Sequence, residues 1–441
     1  MKEARTAACR HPLYQAADEL KKVFTTLGFQ IIDNGTGPEL EETGGQFATW
    51  KAPQEAFAWE DDPIRVDDGT KQLQLRTRIL PAQLRSLPMC PPFRILTFGR
   101  VYRKEAPGAM SSPMRHRLEG FVAEQGLALT DWQRLWGQVA AALYGAEAEV
   151  RFRSCGTAEY AVDVQDPAHK NDLTEGWFNL AYTGPATVET LHACGANNTA
   201  FSGWVFVIDV ERFTMKYFSL KEIGPLFEND VRFLEQFRDK VKTPVGNAPE
   251  DLVGETLRKL GYYEVAPHPF YPDDSYKKAN MVYAVDNLRD HFSVCGPACA
   301  DMAHLRTVLT IGTETVLGFN YRSNNTVARI YEISHIYRPW EEEQLSLAMA
   351  AYGEDVDFDS FKRDVQAVLD TFGLEGTVFV STDQAPAFDP EECLILCDKS
   401  GYIGCSFGKL HEVAQKSQGI DVPVYMAQMD LTPLLERSAK K

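Results

Sequence analysis

Apolar residues in this chain recur every three to four positions in some stretches and every second position in others. From His11 to Gly28, "HPLYQAADELKKVFTTLG" sets Leu13, Ala17, Leu20, Phe24 and Leu27 on one helical face, and Gly28 stands where a C-terminal cap belongs. "FQIIDNGTGPELEE" reads as a strand followed by a Gly/Pro turn. From Phe93, "FRILTFGRVYRKEA" alternates like a strand entering a loop, and "RLEGFVAEQG" reads as its return, so the pair predicts a hairpin with a long connection. "DWQRLWGQVAAALYG" predicts a helix with Asp131 as its N-cap. "FSGWVFVIDVERFTMKYF" predicts a buried strand, Trp204 to Val210, that runs into a helix near Glu211.

Around Val241 to Glu250 the periodicity stops in "VKTPVGNAPE", the best linker candidate. Beyond it, "EDLVGETLRKLGYYEVAPHPF" repeats the opening order of amphipathic helix, glycine, aromatic and strand, so the second half reads as a diverged echo of the first. From about Ala350, "DFDSFKRDVQAVLDTFGL" and several short strands suggest a small α+β module. The boundaries expected are therefore 1–240, a linker at 241–250, then 251–348 and 349–441.

A chain of 441 residues allows two or three cores. No run of 18 apolar residues is present, and the N-terminal stretch lacks an apolar signal region, so no membrane association and a cytoplasmic location are expected. The formal charge of −17 opposes long-range attraction to nucleic acid. Nine cysteines, an odd number, suit a reducing compartment. The C-x3-C pairs Cys295/Cys299 and Cys393/Cys397 lack partners that would complete a tetrahedral zinc set, so packing cysteines are expected.

Against that acidic background, five arginines or lysines fall within Gly99 to Gly120, "GRVYRKEAPGAMSSPMRHRLEG". Arg103 and Glu105 have period-2 spacing, so in an extended strand they share a face. Such a pair can grip a nucleotide, guanidinium on phosphate and carboxylate on an amine. Arg115, Arg117 and Glu119 share a face of the returning strand; the bland alternative is a solvated hairpin laced with ion pairs. Arg212 follows a hydrophobic strand at the very start of a helix, where it can clamp a second phosphate. Arginines on adjoining strands that bracket a bent triphosphate would suit attack by a carboxylate on the α-phosphorus.

"GRVYRKE…SSPMRHRLEG" resembles motif 2 of the class II aminoacyl-tRNA synthetases, "GWVFVIDVERFTM" motif 3, and "TGPELEE" motif 1, with Pro38 at the dimer interface. "LRTRILPAQLRSL", "PPFRILTFGRVYR" and "LFENDVRFLEQF" are similar to the phenylalanyl-tRNA synthetase α subunit across residues 11 to 238. "HLRTVLTIGTETVLGFNYRSNNTVARIYEISHIY" resembles the catalytic-like, inactive domain of the β subunit, and "GYIGCSFGKLHEVAQ" the module after it. The resemblance implies an α+β fold: an antiparallel sheet flanked by helices, present as an active and a catalytic-like copy. The family's coiled coil, editing domains and anticodon-binding domain have no counterpart, so tRNA is a possible acceptor among others.

Residue by residue, the resemblance implies ATP with Mg2+ and an amino acid. Arg103 would hold the α-phosphate and the amino-acid carboxylate, Glu105 would lie beside adenine, and Arg212 on the γ-phosphate side. Gln83 and Glu119 would line the amino-acid site. Arg115 stands where the family stacks a phenylalanine on adenine, and Arg117 where it has a glutamine near the substrate's ammonium. Ser111 replaces a histidine near the phosphates, and Arg78 to Leu80 replace a His-Thr-Ser element. The "FPFTEP" segment of the phenyl pocket has no match in "FRSCGTAEYAVDV". Val207 and Asp209 replace the Gly-x-Gly entry of motif 3. Either Glu189 or Thr190 takes the metal side, the two facing opposite ways on a strand. These changes gather in the substrate pocket, so the expectation is an adenylate-forming ligase whose substrate is not phenylalanine. The alternative is a non-catalytic paralogue acting as sensor or scaffold. An (αβ)2-like homodimer is also expected.

Overall fold

The computed structural model describes residues 7–32, 38–42, 63–81, 90–156, 159–169, 174–195, 200–238, 249–281 and 291–438. It divides into two compact units: Leu13–Arg65 with Gln72–Ile223, and Gly224–Lys441 with Met1–Pro12 and Val66–Lys71. The first ten strands are β1 (Gln30–Ile31), β2 (Leu40–Glu42), β3 (Arg65–Asp67), β4 (Gln72–Leu75), β5 (Phe93–Tyr102), β6 (Met114–Gln125), β7 (Glu149–Gly156), β8 (Glu159–Gln165), β9 (Trp177–Pro185) and β10 (Phe201–Asp209). Four helices carry the first unit's argument: α1 (Pro12–Thr26), α2 (Leu129–Tyr144), α3 (Val188–Ala193) and α4 (Val210–Phe218).

The first unit is built on a seven-stranded sheet in the order β1-β5-β6-β10-β9-β8-β7. Only the β1–β5 pair is parallel among these ladders; the others are antiparallel. One face of the sheet is apolar and aromatic. There Phe206 of β10 stacks on Phe24 of α1 at 4.9 Å and meets the edge of Trp136 of α2 at 5.3 Å. Trp132 and Trp136 are fully buried, and the Trp132 indole N–H donates to Thr183 Oγ1 at 3.0 Å. Burial of each such ring stabilises the unit by roughly 1.5–3 kcal/mol. Gly120 of β6 is required beneath Phe206, since a Cβ there would lie 2.1 Å from the ring. The other face carries the polar residues discussed below.

The second unit repeats this plan. Its strands are β11 (Tyr263–Glu264), β12 (Phe270–Tyr271), β13 (Ser293–Val294), β14 (His304–Leu305), β15 (Ala328–Ile336), β16 (Gln344–Tyr352), β17 (Val378–Ser381), β18 (Phe388–Asp398), β19 (Gly401–Leu410) and β20 (Tyr425–Asp430). Its main helices are α5 (Pro249–Lys259), α6 (Thr310–Arg322), α7 (Phe358–Asp370) and α8 (Leu431–Ser438). The order β11-β15-β16-β20-β19-β18-β17 matches the first sheet strand for strand, again with a parallel first pair. The match extends to atoms. Tyr102 N–H donates to the Arg76 carbonyl at 2.9 Å, and Tyr337 N–H to the Arg306 carbonyl at 2.9 Å. Arg76 Nε donates to the Arg100 carbonyl at 2.8 Å, and Arg306 Nε to the His335 carbonyl at 2.9 Å. The echo read from the sequence is thus a duplicated antiparallel α+β fold.

Three local readings need adjustment. Asp131 is not the N-cap of α2: the helix is preceded by Ala128, whose N–H donates to the Asp131 carboxylate at 3.2 Å from the first turn. From the third helical position the carboxylate satisfies the N–H of the cap residue itself, which is half of a capping box, and Ala128 has no side-chain acceptor for the other half. The expected boundary at 348/349 falls inside β16, and β17 to β20 complete the same sheet. A core that needs both sides of a strand pairing leaves no break there. Of the expected linker, residues 241–248 lie outside the described residues, and Pro249 already begins α5.

Candidate active site

Register places the charged residues. On β6, Arg115, Arg117 and Glu119 face the same way, and their partners on β5 are Val101, Gly99 and Thr97. Across the other edge of β6, Arg117 opposes Asp209 and Glu119 opposes Val207 of β10. Arg103 follows β5 directly and donates from Nη2 to the Glu105 carboxylate. Glu105 also accepts the Ser112 N–H at 2.9 Å and lies 3.6 Å from Arg115 Nη2. Arg115 Nη1 lies 3.9 Å from the Asp209 carboxylate, and its Nη2 donates to the Met110 carbonyl at 3.1 Å. Arg103, Glu105, Arg115 and Asp209 therefore form one chain of charges along the hairpin and the end of β10.

Two donors in that chain are unmatched. Arg103 Nε and Arg115 Nε are buried atoms without a hydrogen-bond partner among the described residues. A buried guanidinium N–H left unpaired costs free energy that an anion would recover. Asp209 caps α4 by accepting the Arg212 N–H at 2.9 Å. Arg212 itself is exposed in the first turn, where its charge adds to the positive end of the helix rather than opposing it. That placement is unfavourable in the free protein and favourable toward a phosphate.

The remaining expected residues are more deeply committed. Arg117 is buried and donates to the Thr77 carbonyl at 2.9 Å. Glu119 accepts the N–H groups of Ile79 and Leu80 at 3.1 and 2.8 Å, so it holds the segment after the first Leu-Arg-Thr against β6. Ser111 donates to the Ala106 carbonyl at 2.9 Å and closes the hairpin loop. Gln83 lies outside the described residues. Residues 189 and 190 lie in α3, a helix and not a strand, so they stand about a third of a turn apart rather than on opposite faces. Thr190 is buried and shares a hydrogen bond of 3.0 Å with Thr187 Oγ1. Pro38 is exposed beside β2.

Sequence reading passed over His116, which lies between two arginines yet points to the opposite face. Its N–H donates to the Glu211 carboxylate at 2.9 Å, and Nδ1 lies 2.8 Å from the same carboxylate; both side chains are fully buried. The ring stacks on Phe98 and meets Tyr14 edge-on. This contact ties β6, with its arginines, to the first turn of α4, with Arg212. The signal was present: period-2 alternation assigns His116 to the apolar face. A second buried network joins Glu39 to Arg100 at 2.9 Å, to the Tyr102 hydroxyl and to Arg76 at 3.6 Å. It fixes the start of the hairpin from below.

The second unit does not reproduce the charged chain. Counting from Tyr102 and Tyr337 and following the register, Arg115, Arg117 and Glu119 become Gln344, Ser346 and Ala348, while Asp209 becomes Asp430. Ser346 donates to Asp430 at 3.0 Å, and Arg338, the counterpart of Arg103, donates to Glu341 at 2.6 Å. Pro433 stands where the first unit has Arg212.

A seven-stranded, largely antiparallel sheet with arginines on its β5–β6 hairpin and at the start of the helix after β10 is the arrangement of a class II aminoacyl-tRNA synthetase core. Residues 1–237 match the family described as tRNA synthetases class II core domain (F), and residues 241–431 match the phenylalanyl tRNA synthetase beta chain CLM domain. The phenylalanine–tRNA ligase alpha subunit of Alkaliphilus metalliredigens is 32% identical over 251 residues, covering 53% of this chain and 71% of that protein. The alpha subunit of Alkaliphilus oremlandii is 30% identical over 244 residues, covering 52% and 69%. A solved pyrrolysyl tRNA synthetase, PylSc of Desulfitobacterium hafniense, is 20% identical with a TM-score of 0.34, covering 49% of this chain and 73% of that one. The chain belongs to the phenylalanyl-tRNA synthetase family, as an α-like core joined to a β-like core in one polypeptide.

Proposed function

We propose that this chain activates an amino acid with ATP and passes it to tRNA or another acceptor. In the first step a carboxylate oxygen bonds to the α-phosphorus, the bond to the bridging oxygen of the β-phosphate breaks, and pyrophosphate leaves. Arg103 holds the α-phosphate and the substrate carboxylate, with Glu105 at the adenine amine and the Arg115 plane against the base. Arg212 holds the γ-phosphate side. Gln83, Arg117, Glu119 and Asp209 line the substrate. Mg2+, for which the Glu189 carboxylate is a donor of suitable chemistry, would neutralise charge on the departing pyrophosphate. The carrying observation is the pair of unmatched Nε donors on Arg103 and Arg115 beside an exposed Arg212.

Substrate choice follows from Arg117 and Glu119. With Arg117 bonded to Thr77 and Glu119 to two backbone amides, the usual reception of a free ammonium by an amide and a carboxylate is altered. That supports a substrate other than phenylalanine. Pyrophosphate exchange with each standard amino acid tests both parts. Phenylalanine as the sole active substrate overturns the substrate reading. ATP binding without exchange for any amino acid, unchanged in Arg103→Ala, overturns the enzyme reading and leaves a sensor or scaffold.

A further inference from the structure

In the second unit, α6 lies on β15, β16 and β20. It occupies the place that follows the second Leu-Arg-Thr. Counting from the two triplets, Thr310 stands where the first unit has Leu80, while the position matching Glu314 lies outside the described residues. Leu80 packs in an apolar cluster with Phe121 and Val205. The register sets Ala350 in the place of Phe121 and Ala348 in that of Glu119. The second unit has therefore exchanged two large sheet residues for alanines and the leucine that packs over them for a polar residue.

Those polar residues are buried, with relative exposures of 4% for Thr310 and 1% for Glu314. Among the described residues, Glu314 Oε1 and Thr310 Oγ1 have no hydrogen-bond partner. Neighbouring hydroxyls on the same helix are satisfied: Thr313 donates to the Leu309 carbonyl at 3.1 Å and Thr315 to that of Ile311 at 3.0 Å. Thr310 and Glu314 are one helical turn apart on one face, and Leu317 continues the stripe. Leu317 packs in a cluster with Ala350, Met426, Ala414 and Ile420. A buried carboxyl oxygen and a buried hydroxyl left unpaired together cost about 2–6 kcal/mol, a cost that apolar side chains there would not carry.

We propose that Glu314 and Thr310 are the recognition end of a buried site for a small organic ammonium ion, whose apolar body packs against Ala350, Leu317 and Met426. The ammonium donates to the Glu314 carboxylate and to the Thr310 hydroxyl oxygen. Among the described residues neither has a hydrogen-bonded arginine or lysine, so a ligand with its own carboxylate meets no countercharge from them. The site selects amines over amino acids. Burial alone pushes the Glu314 carboxyl up to about 8, and a cation beside it would restore the charged form.

Isothermal titration of the full chain with phenethylamine and n-butylamine at pH 7, with phenylalanine as the carboxylate-bearing control, tests this. One saturable amine site is expected, at least tenfold weaker in Glu314→Gln and in Thr310→Val, and unchanged in Arg103→Ala. Absence of saturable amine binding by the wild type overturns it. So does wild-type affinity in a correctly folded Glu314→Gln, or loss of binding in Arg103→Ala, which would move the site to the first unit. Should Glu314→Gln fail to fold, Thr310→Val, close in volume, decides alone.

Discussion

Replacing Glu314 by glutamine removes the one group in α6 that must change its charge on folding near neutral pH. An ordinary glutamate releases its proton at 4.5, whereas burial holds the folded Glu314 carboxyl up to about 8. The folded state thus binds more protons than the unfolded state between these values, and stability falls as pH rises through that window. Worked from those two values, the carboxyl costs about 1 kcal/mol at pH 5 and about 4 kcal/mol at pH 8. Glutamine carries a similar burial cost for its amide, but that cost does not vary with pH. The difference between the two proteins across pH therefore isolates the carboxyl.

Differential scanning calorimetry of wild type and Glu314→Gln from pH 5 to pH 8 measures this. For a unit of about 150–250 residues, 1 kcal/mol corresponds to roughly 2–4 °C. The advantage of the variant is expected to widen by about 6–12 °C over the range, in the transition belonging to the second unit. A gap that stays constant with pH refutes the reasoning, because it would mean that the carboxyl is ionised and paired in the folded state. Saturating phenethylamine should raise the wild-type transition at pH 8 and leave the variant where it was.

Arg212→Ala is expected to abolish pyrophosphate exchange while leaving the melting transition within about 1 kcal/mol of wild type, since the side chain is exposed. His116→Ala strands the fully buried Glu211 carboxylate and should cost about 3 kcal/mol in urea unfolding. His116→Asn, which keeps an amide donor, should recover part of that and of the ATP affinity; equal losses in both would argue against the tie between β6 and α4. Gly120→Ala drives a methyl into the Phe206 ring and should lower stability by about 1–3 kcal/mol. The loss should shrink in the Gly120→Ala, Phe206→Leu double variant, and additivity there would refute the clash.

The sequence was most legible where a local pattern and a fold requirement coincide. The helix ending at Gly28, whose φ is +85°, and the hairpin β5–β6 follow from periodicity and turn chemistry alone. So does the strand-to-helix passage at Asp209, because the cap residue and the apolar run are adjacent. The 348/349 boundary was misplaced because pairing of β16 with β20 joins residues some eighty positions apart, which no local window contains. At residues 189 and 190 the difficulty was the period itself. Six residues of helix are too few to show 3.6-fold repetition against a strand reading.

Arginine is the residue for which composition said least and structure most. Arg76 and Arg306 donate to backbone carbonyls at equivalent places in both units, and the second unit keeps this contact although its charged chain is gone. Such an arginine clamps the strand that enters the hairpin, and its retention says nothing about chemistry. Arg103 and Arg115 differ in having unmatched Nε donors, and Arg212 in being exposed at a helix start. In the second unit those three positions hold Arg338, Gln344 and Pro433. Of these only Arg338 is still a cation, and its Nε is matched to the Thr307 carbonyl at 3.1 Å. What separates the α-like copy from the β-like one is therefore not how many arginines the sheet bears. It is whether their donors are already spent on the protein or left unmatched, as the proposed ATP-binding role requires.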